Sequence, residues 1–271
     1  MYGGNNMAAE KRRIAGTREW AVAEIDCCAG CSHGCRYCYA RYREVVATGR
    51  IAPEQWPKPA IRGGDVERDY PLYDGQVMFP ANHDIQPEIV DDCIVVLQKL
   101  VAAGNKVLVV SKPHLQCIDK ICRILRSNRE QILFRFSITA GDDDILRFWE
   151  PGAPCFCERL ASLRHAYAQG YATSVSIEPM LDSENIVSLV AACAPHVSHS
   201  IWIGKMNKTE QRVCCEDEET PVRLQRLRQG QTDAKIRDIY SRLKDNPLVR
   251  WKESIKEVVQ LKLAEKPGED R

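Results

Sequence analysis

Cys31, Cys35 and Cys38 stand in the string "CSHGCRYCYARY" at the spacing CxxxCxxC, with Tyr37 directly before the third cysteine and Gly34 before the second. Three thiolates this close can hold three irons of a [4Fe–4S] cube and leave its fourth iron open. Such clusters normally take four cysteines, so a three-cysteine site points to another molecule in the last position. The competing chemistry is a non-catalytic zinc or redox-sensing module, with His33, Cys27 or Cys28 as a fourth zinc ligand. Zinc sites usually show two ligand pairs separated by a dozen or more residues, whereas these cysteines fall in one run. A disulfide framework suits the chain poorly, because it is long and its 13 cysteines are an odd number.

The elements that must position this loop follow from the apolar pattern. Trp20–Asp26 reads as a first strand that leads into the cysteines, and a helix starts near Cys38. Arg50–Gly75, rich in Pro, Gly and charge, is a long connection of the kind that serves as a lid or an ordered insertion. Further strands are predicted at Val77–Pro80, Lys106–Ser111, Leu133–Thr139, Ala172–Glu178 and Ser200–Gly204, each followed by a segment of helical periodicity. Thr232–Asp245 reads as a helix, Leu248–Trp251 as a short strand and Ser254–Leu263 as a last helix. Repeated strand–helix units with apolar strands imply a parallel sheet covered by helices, in the α/β class. Six or more units fit a full or partial (β/α)6 barrel, and a doubly wound sheet shares the same period. The expected division is a flexible segment over 1–19, a core barrel over 20–210 and a C-terminal extension over 211–271 that completes the barrel.

In a barrel the chemistry gathers at the C-terminal ends of the strands. Asn82, His83 and Asp84 follow the second strand, Lys112 the third and Glu178 the fifth, while Ser137 ends the fourth. Each has a plainer reading. Asp84 can cap the next helix, Lys112 can be merely solvated, and Ser137 can be a buried hydroxyl satisfied by backbone. Tyr37 can be a core aromatic. A carboxylate at Glu178, ending a buried strand, must be paired or functional. Of the remaining cysteines, Cys27/Cys28, Cys155/Cys157 and Cys214/Cys215 form close pairs. They could bind a second cluster, donate a hydrogen atom to a substrate radical (Cys214 and Cys215 being the candidates) or simply pack. Cys93, Cys122 and Cys193 lie on apolar helix faces and read as packing.

The 271 residues, 44% hydrophobic and 28% charged with a formal net charge of +1, describe an ordinary globular chain with no general pull toward polyanions. No apolar run approaches the ~18 residues of a membrane span. The N-terminus lacks the apolar centre of a secretory signal, and together with many unpaired thiols this predicts a reducing, cytoplasmic setting. Arg223, Arg226, Arg228, Lys235, Arg237, Arg242, Lys244, Arg250 and Lys252 could meet phosphates, but the acids interleaved among them favour solvated helix faces.

The cysteine string resembles the signature of radical S-adenosylmethionine enzymes, including the aromatic residue before the last cysteine. "SIT", the acidic run "GDDD", "EPGAP" and "ERLASL" resemble the middle of the spore photoproduct lyase-like branch, as do "HDIQPE" and "VVSKP". The likeness covers about Asp26 to Leu181. It implies a radical S-adenosylmethionine barrel with the cluster loop after the first strand, and a [4Fe–4S] cluster on Cys31, Cys35 and Cys38. It also implies cofactor contacts near Asp84, Lys112 and Ser137; Tyr37, Asn82, His83 and Glu178 are expected to complete the S-adenosylmethionine site, and an electron donor such as flavodoxin or ferredoxin is the expected partner. Tyr37 would pack on adenine, the Asn82–Asp84 turn would meet the methionine ammonium, Lys112 the methionine carboxylate and Ser137 a ribose hydroxyl. Glu150 and Arg159 match the branch's "EP" and "ER" and are expected to form a structural ion pair. Ser111, His83 and the Cys155/Cys157 pair depart from the branch pattern. The C-terminal third has no matching part, so the substrate does not carry over with the resemblance, and repair or modification of a nucleic-acid base lesion stands as the alternative to an unidentified substrate.

Overall fold

The computed structural model describes residues 14–214 and 217–270. Cys215 and most of the expected N-terminal segment lie outside the described residues. The strands are β1 (Ala23–Glu24), β2 (Cys28–Ala29), β3 (Ala60–Ile61), β4 (Val77–Phe79), β5 (Val107–Ser111), β6 (Ile132–Ser137), β7 (Ala172–Ile177), β8 (Ser200–Ile203) and β9 (Val249–Trp251). The helices are α1 (Tyr39–Arg41), α2 (Gly63–Glu67), α3 (Val90–Ala102), α4 (Leu115–Ile124), α5 (Asp143–Trp149), α6 (Phe156–Ala168), α7 (Ile186–Cys193), α8 (Thr209–Arg212), α9 (Glu219–Gly230), α10 (Asp233–Leu243) and α11 (Glu253–Val259).

Seven strands form one sheet in the order β1-β4-β5-β6-β7-β8-β9, and every neighbouring pair is parallel. The order follows the chain, apart from the β2–β3 excursion, so the sheet curls as a partial barrel rather than reversing as a doubly wound sheet would. Alternation along each strand sorts the two faces. Ile132, Phe134 and Phe136 of β6 join the main core beneath the helices, with Val107 and Val109 of β5 and Ile201 and Ile203 of β8. Leu108, Leu133 and Trp202 point the other way and pack with Trp20 inside the curl. Arg135 lies between the two indoles, 4.4 Å from the Trp20 ring centre and 5.4 Å from that of Trp202. This plug fills the floor and leaves the C-terminal rim open.

The first strand is shorter than the predicted Trp20–Asp26. Trp20 and Ala21 turn into the interior, and only Ala23–Glu24 is assigned to β1, although Val22 N–H and Ile25 N–H still donate to Gln76 and Met78 carbonyls at 2.9 Å. The Arg50–Gly75 connection is not one irregular loop. It holds β3, antiparallel to β2, and α2, and it packs against the cysteine loop. No described helix is long and apolar enough to cross a membrane.

Candidate active site

The loop from β2 to α1 carries the three cysteines and is held from two sides. Cys31 N–H donates to Trp56 O at 2.9 Å. On the other side Arg36 N–H donates to Trp149 O and Gly152 N–H to His33 O, each at 2.9 Å. Glycine is required at two of these approaches. Gly30 has φ +86°, and a Cβ there would fall 2.6 Å from Trp56 O; at Gly152 one would fall 2.4 Å from Ser32 O. Cys38 precedes α1, and its sulfur accepts from Arg41 N–H at 3.4 Å.

A cavity of about 850 Å³ opens at the rim, and Cys31, Cys35, Cys38, Tyr37, Asn82, His83, Asp84, Lys112, Ser137 and Glu178 all line it. Strand ends far apart in sequence thus bring every described residue of the expected set to one place except Cys214, which is exposed and does not line the cavity. The geometry divides the Asn82–Asp84 turn. Cys27 N–H donates to His83 Nε2 at 3.3 Å, so the other ring nitrogen, Nδ1, carries the hydrogen and donates to Asp84 O at 3.1 Å. Both nitrogens are used within the wall. Asp84 is no helix cap. Its carboxylate accepts from Ser111 Oγ at 2.5 Å and from Lys112 N–H at 3.0 Å, and it lies 3.3 Å from His33 Nδ1. Burial opposes ionisation of Asp84, but His33, Lys112 and Ser111 outweigh it and hold the carboxyl below its ordinary range. Asp84 therefore ties the cysteine loop to the end of β5.

Asn82 differs. Its side-chain amide and main-chain N–H donate to the carboxylate of Asp26, the latter at 2.7 Å, which fixes the amide's orientation. Asn82 Oδ1 is left buried with no hydrogen-bond partner. An orphaned acceptor in a cavity wall is costly unless a ligand donates to it.

Tyr37 and Lys112 rest on a buried pair. Glu150 Oε2 meets Arg159 Nη2 at 2.6 Å with both side chains fully enclosed, as the sequence predicts. Glu150 Oε1 accepts from Tyr37 Oη and from Thr139 Oγ1, the latter at 2.9 Å. Burial works against this carboxylate, but Arg159, Lys112 and Tyr37 offset it and leave the Glu150 pKa lowered. The Lys112 ammonium stands 5.8 Å from the Tyr37 ring centre. Burial disfavours its charge; Cys35, Glu150 and Asp84 more than compensate.

Across the mouth Glu178 lies 3.6 Å from Lys252 Nζ. Lys252, grouped by sequence with residues able to meet phosphates, is instead fully buried; it pairs with Glu19 Oε2 at 2.5 Å and donates to Gly16 O at 2.7 Å. Sequence reasoning missed this cluster, because Glu19 and Lys252 lie at opposite ends of the chain.

Among the described residues no group of three or more His, Cys, Asp or Glu side chains is placed to hold a metal ion; the three cysteines share one roomy cavity. Burial pushes the Cys31 thiol up to about 12 and the Cys35 thiol well above its ordinary value. Cysteine binds metal as thiolate, so loading such a site releases protons.

No family model matches the chain. Among solved structures it is similar to a spore photoproduct lyase variant with bound AdoMet and dinucleoside spore photoproduct, at 15% identity and TM-score 0.52, covering 84% of this chain and 75% of that one. It is also similar to Streptococcus suis SuiB bound to S-adenosylmethionine, at 11% identity and TM-score 0.55, covering 91% and 54%. An uncharacterized protein of Acidianus two-tailed virus is 23% identical over 168 residues, 58% of this chain and 55% of that protein, so the match spans about half the viral protein's length. The likeness shows the fold: an α/β partial barrel shared with the spore photoproduct lyase and SuiB structures.

Proposed function

We propose that the chain is a radical S-adenosylmethionine enzyme whose Cys31, Cys35 and Cys38 hold a [4Fe–4S] cluster and whose cavity binds S-adenosylmethionine on its open iron. The observation that carries this reading is the convergence of the three cysteines, the orphaned Asn82 Oδ1 and the half-buried Lys112 on one cavity. Held by these cysteines and reduced by an external electron donor, the cluster would supply one electron for cleavage of the sulfonium C–S bond of S-adenosylmethionine into methionine and a 5′-deoxyadenosyl radical able to take a substrate hydrogen atom.

The chain's own residues bind and orient. Asn82 Oδ1 accepts a hydrogen bond from the methionine ammonium, while Asp84 and His83 hold the turn that presents Asn82. Lys112 faces the methionine carboxylate. Tyr37, fixed by Glu150, offers its ring to adenine, and Ser137 offers a hydroxyl to the ribose. Glu178 faces the substrate side with Lys252 behind it. A nucleic-acid lesion as substrate has one support, the likeness to a lyase that binds dinucleoside spore photoproduct. Against it, Arg223, Arg228, Lys235 and Arg242 are paired with Glu219, Glu210, Glu184 and Asp238 at 2.8, 3.6, 2.7 and 3.7 Å, so part of the basic charge on α9 and α10 already has acidic partners.

The test is anaerobic reconstitution with iron and sulfide, reduction, and assay for 5′-deoxyadenosine, with the Cys35→Ala variant in parallel. Formation by the parent chain and loss in the variant are expected. A reconstituted, reducible protein that leaves S-adenosylmethionine intact would remove the proposal. Asn82→Asp and Asn82→Leu sharpen it: Asp keeps an acceptor and retains binding, whereas Leu weakens it about tenfold or more.

A further inference from the structure

Cys155 and Cys157 play no part in the site above, and neither lines its cavity. Cys155 is the residue before α6 and Cys157 lies in its first turn. Their sulfurs are 2.8 Å apart, and both are free thiols. Cys157 is exposed and Cys155 half-buried, so a molecule in solvent reaches the pair from the Cys157 side. The described cysteines that serve packing look different: Cys27 and Cys93, 3.9 Å apart, are wholly enclosed. An exposed cysteine buries no apolar surface, so packing gives no reason for two thiols to meet at this place.

We propose that Cys155 and Cys157 are a reversible dithiol–disulfide pair that exchanges with a disulfide of another molecule, RSSR. The Cys157 thiolate attacks one sulfur of RSSR; a Cys157–SR bond forms, the S–S bond of RSSR breaks, and RS⁻ leaves and takes up the proton that Cys157 lost. Cys155 then attacks the Cys157 sulfur, closes the Cys155–Cys157 bond and expels the second RS⁻, which takes the proton of Cys155. Two protein thiols are oxidised by two electrons, and RSSR is reduced to two RSH. Hydrogen bonding to Cys155 holds the Cys157 thiol above its ordinary pKa, so the exchange quickens as pH rises. The pair sits at the end of the strap that clamps the cysteine loop. Arg159, in the same helix, donates to Pro154 O at 2.7 Å and pairs with Glu150, and Gly152 donates to His33 O between Cys31 and Cys35.

The experiment incubates the full chain anaerobically in glutathione buffers of graded oxidation, quenches by alkylation and reads the peptide spanning residues 155–157 by mass spectrometry. The expected result is a peptide lighter by two hydrogen atoms, unalkylated at both cysteines and restored by excess thiol. In the Cys155→Ser variant the closed form disappears and glutathione stays attached to Cys157. The proposal is overturned if both thiols of the parent chain remain alkylatable in fully oxidised glutathione. It is equally overturned if the parent chain keeps a stable glutathione adduct on Cys157, for then Cys155 does not resolve it. The readout concerns these thiols alone and stands whether or not the cysteine loop holds a cluster.

Discussion

On the wall built by the cysteine loop and the ends of β4, β5 and β6, each buried acid has its own cation or a full set of donors; across the mouth, three carboxylates share Lys252. Glu150 has Arg159, Tyr37 and Thr139, and Asp84 has His33, Ser111 and the Lys112 amide. Both carboxyls stay below their ordinary pKa in spite of burial. Around Lys252 stand Glu19, Glu178 and Glu253 at 2.5, 3.6 and 3.8 Å. Burial, aided by the hydrogen bond to Glu253, pushes Glu19 up to about 9, and burial raises Glu178 as well. One buried cation does not keep three carboxylates ionised, so a proton stays on the second wall. The first wall has fixed charge and positions the loop and Tyr37. The second can change its proton count within an ordinary working range of pH.

The largest effect expected from this difference is at Arg159. Arg159→Ala leaves Glu150 enclosed without its cation and should cost about 3–5 kcal/mol of stability, measured by denaturant unfolding. Lys252→Met should cost less, about 1.5–3 kcal/mol, because Glu178 and Glu253 can take up protons in its absence. A Lys252 variant weaker than the Arg159 variant would break the comparison.

A smaller effect is a slope with pH. Glu19 has an ordinary pKa of 4.5 in the unfolded chain and one of about 9 when folded. Between these values the native state holds one more proton than the unfolded state. Its contribution to stability is therefore fully present below 4.5 and is lost as pH rises toward 9, at up to about 1.4 kcal/mol per pH unit. Unfolding midpoints measured from pH 5 to 9 should show the parent chain losing stability relative to Glu19→Gln as pH rises. Asp84 acts at the other end: its carboxylate contributes above its ordinary 3.8, and that contribution is lost as pH falls below it. A parent chain and a Glu19→Gln variant with the same pH trend from 5 to 9 would contradict the proton assigned to Glu19.

How far these features could be read from sequence depends on whether they are local. β5 and β6 were legible because "KVLVVS" and "ILFRFS" are apolar runs bounded by polar residues, and the Glu150–Arg159 pair because both residues sit in one short motif. The three cysteines announced themselves by spacing. The shortened β1 was not legible, since Trp20 is as apolar as a strand residue and only the interior it fills turns it away from the sheet. The roles within "NHD" were equally hidden: Asn82 is fixed by Asp26, and His83 by the Cys27 amide, both more than fifty residues earlier. Glu19, Lys252 and Glu253 carry no pattern at all, because the chain ends meet only after the barrel has curled.

The central claim is that the three-cysteine loop holds a cube with one iron free for S-adenosylmethionine. It is tested most directly by electron paramagnetic resonance of the anaerobically reconstituted, reduced protein, with iron counted on the same sample. The account predicts about four irons per chain, the stoichiometry of the cube, and a cluster signal that shifts when S-adenosylmethionine is added. Stoichiometric zinc with no iron, or a cluster signal identical with and without S-adenosylmethionine, would contradict it.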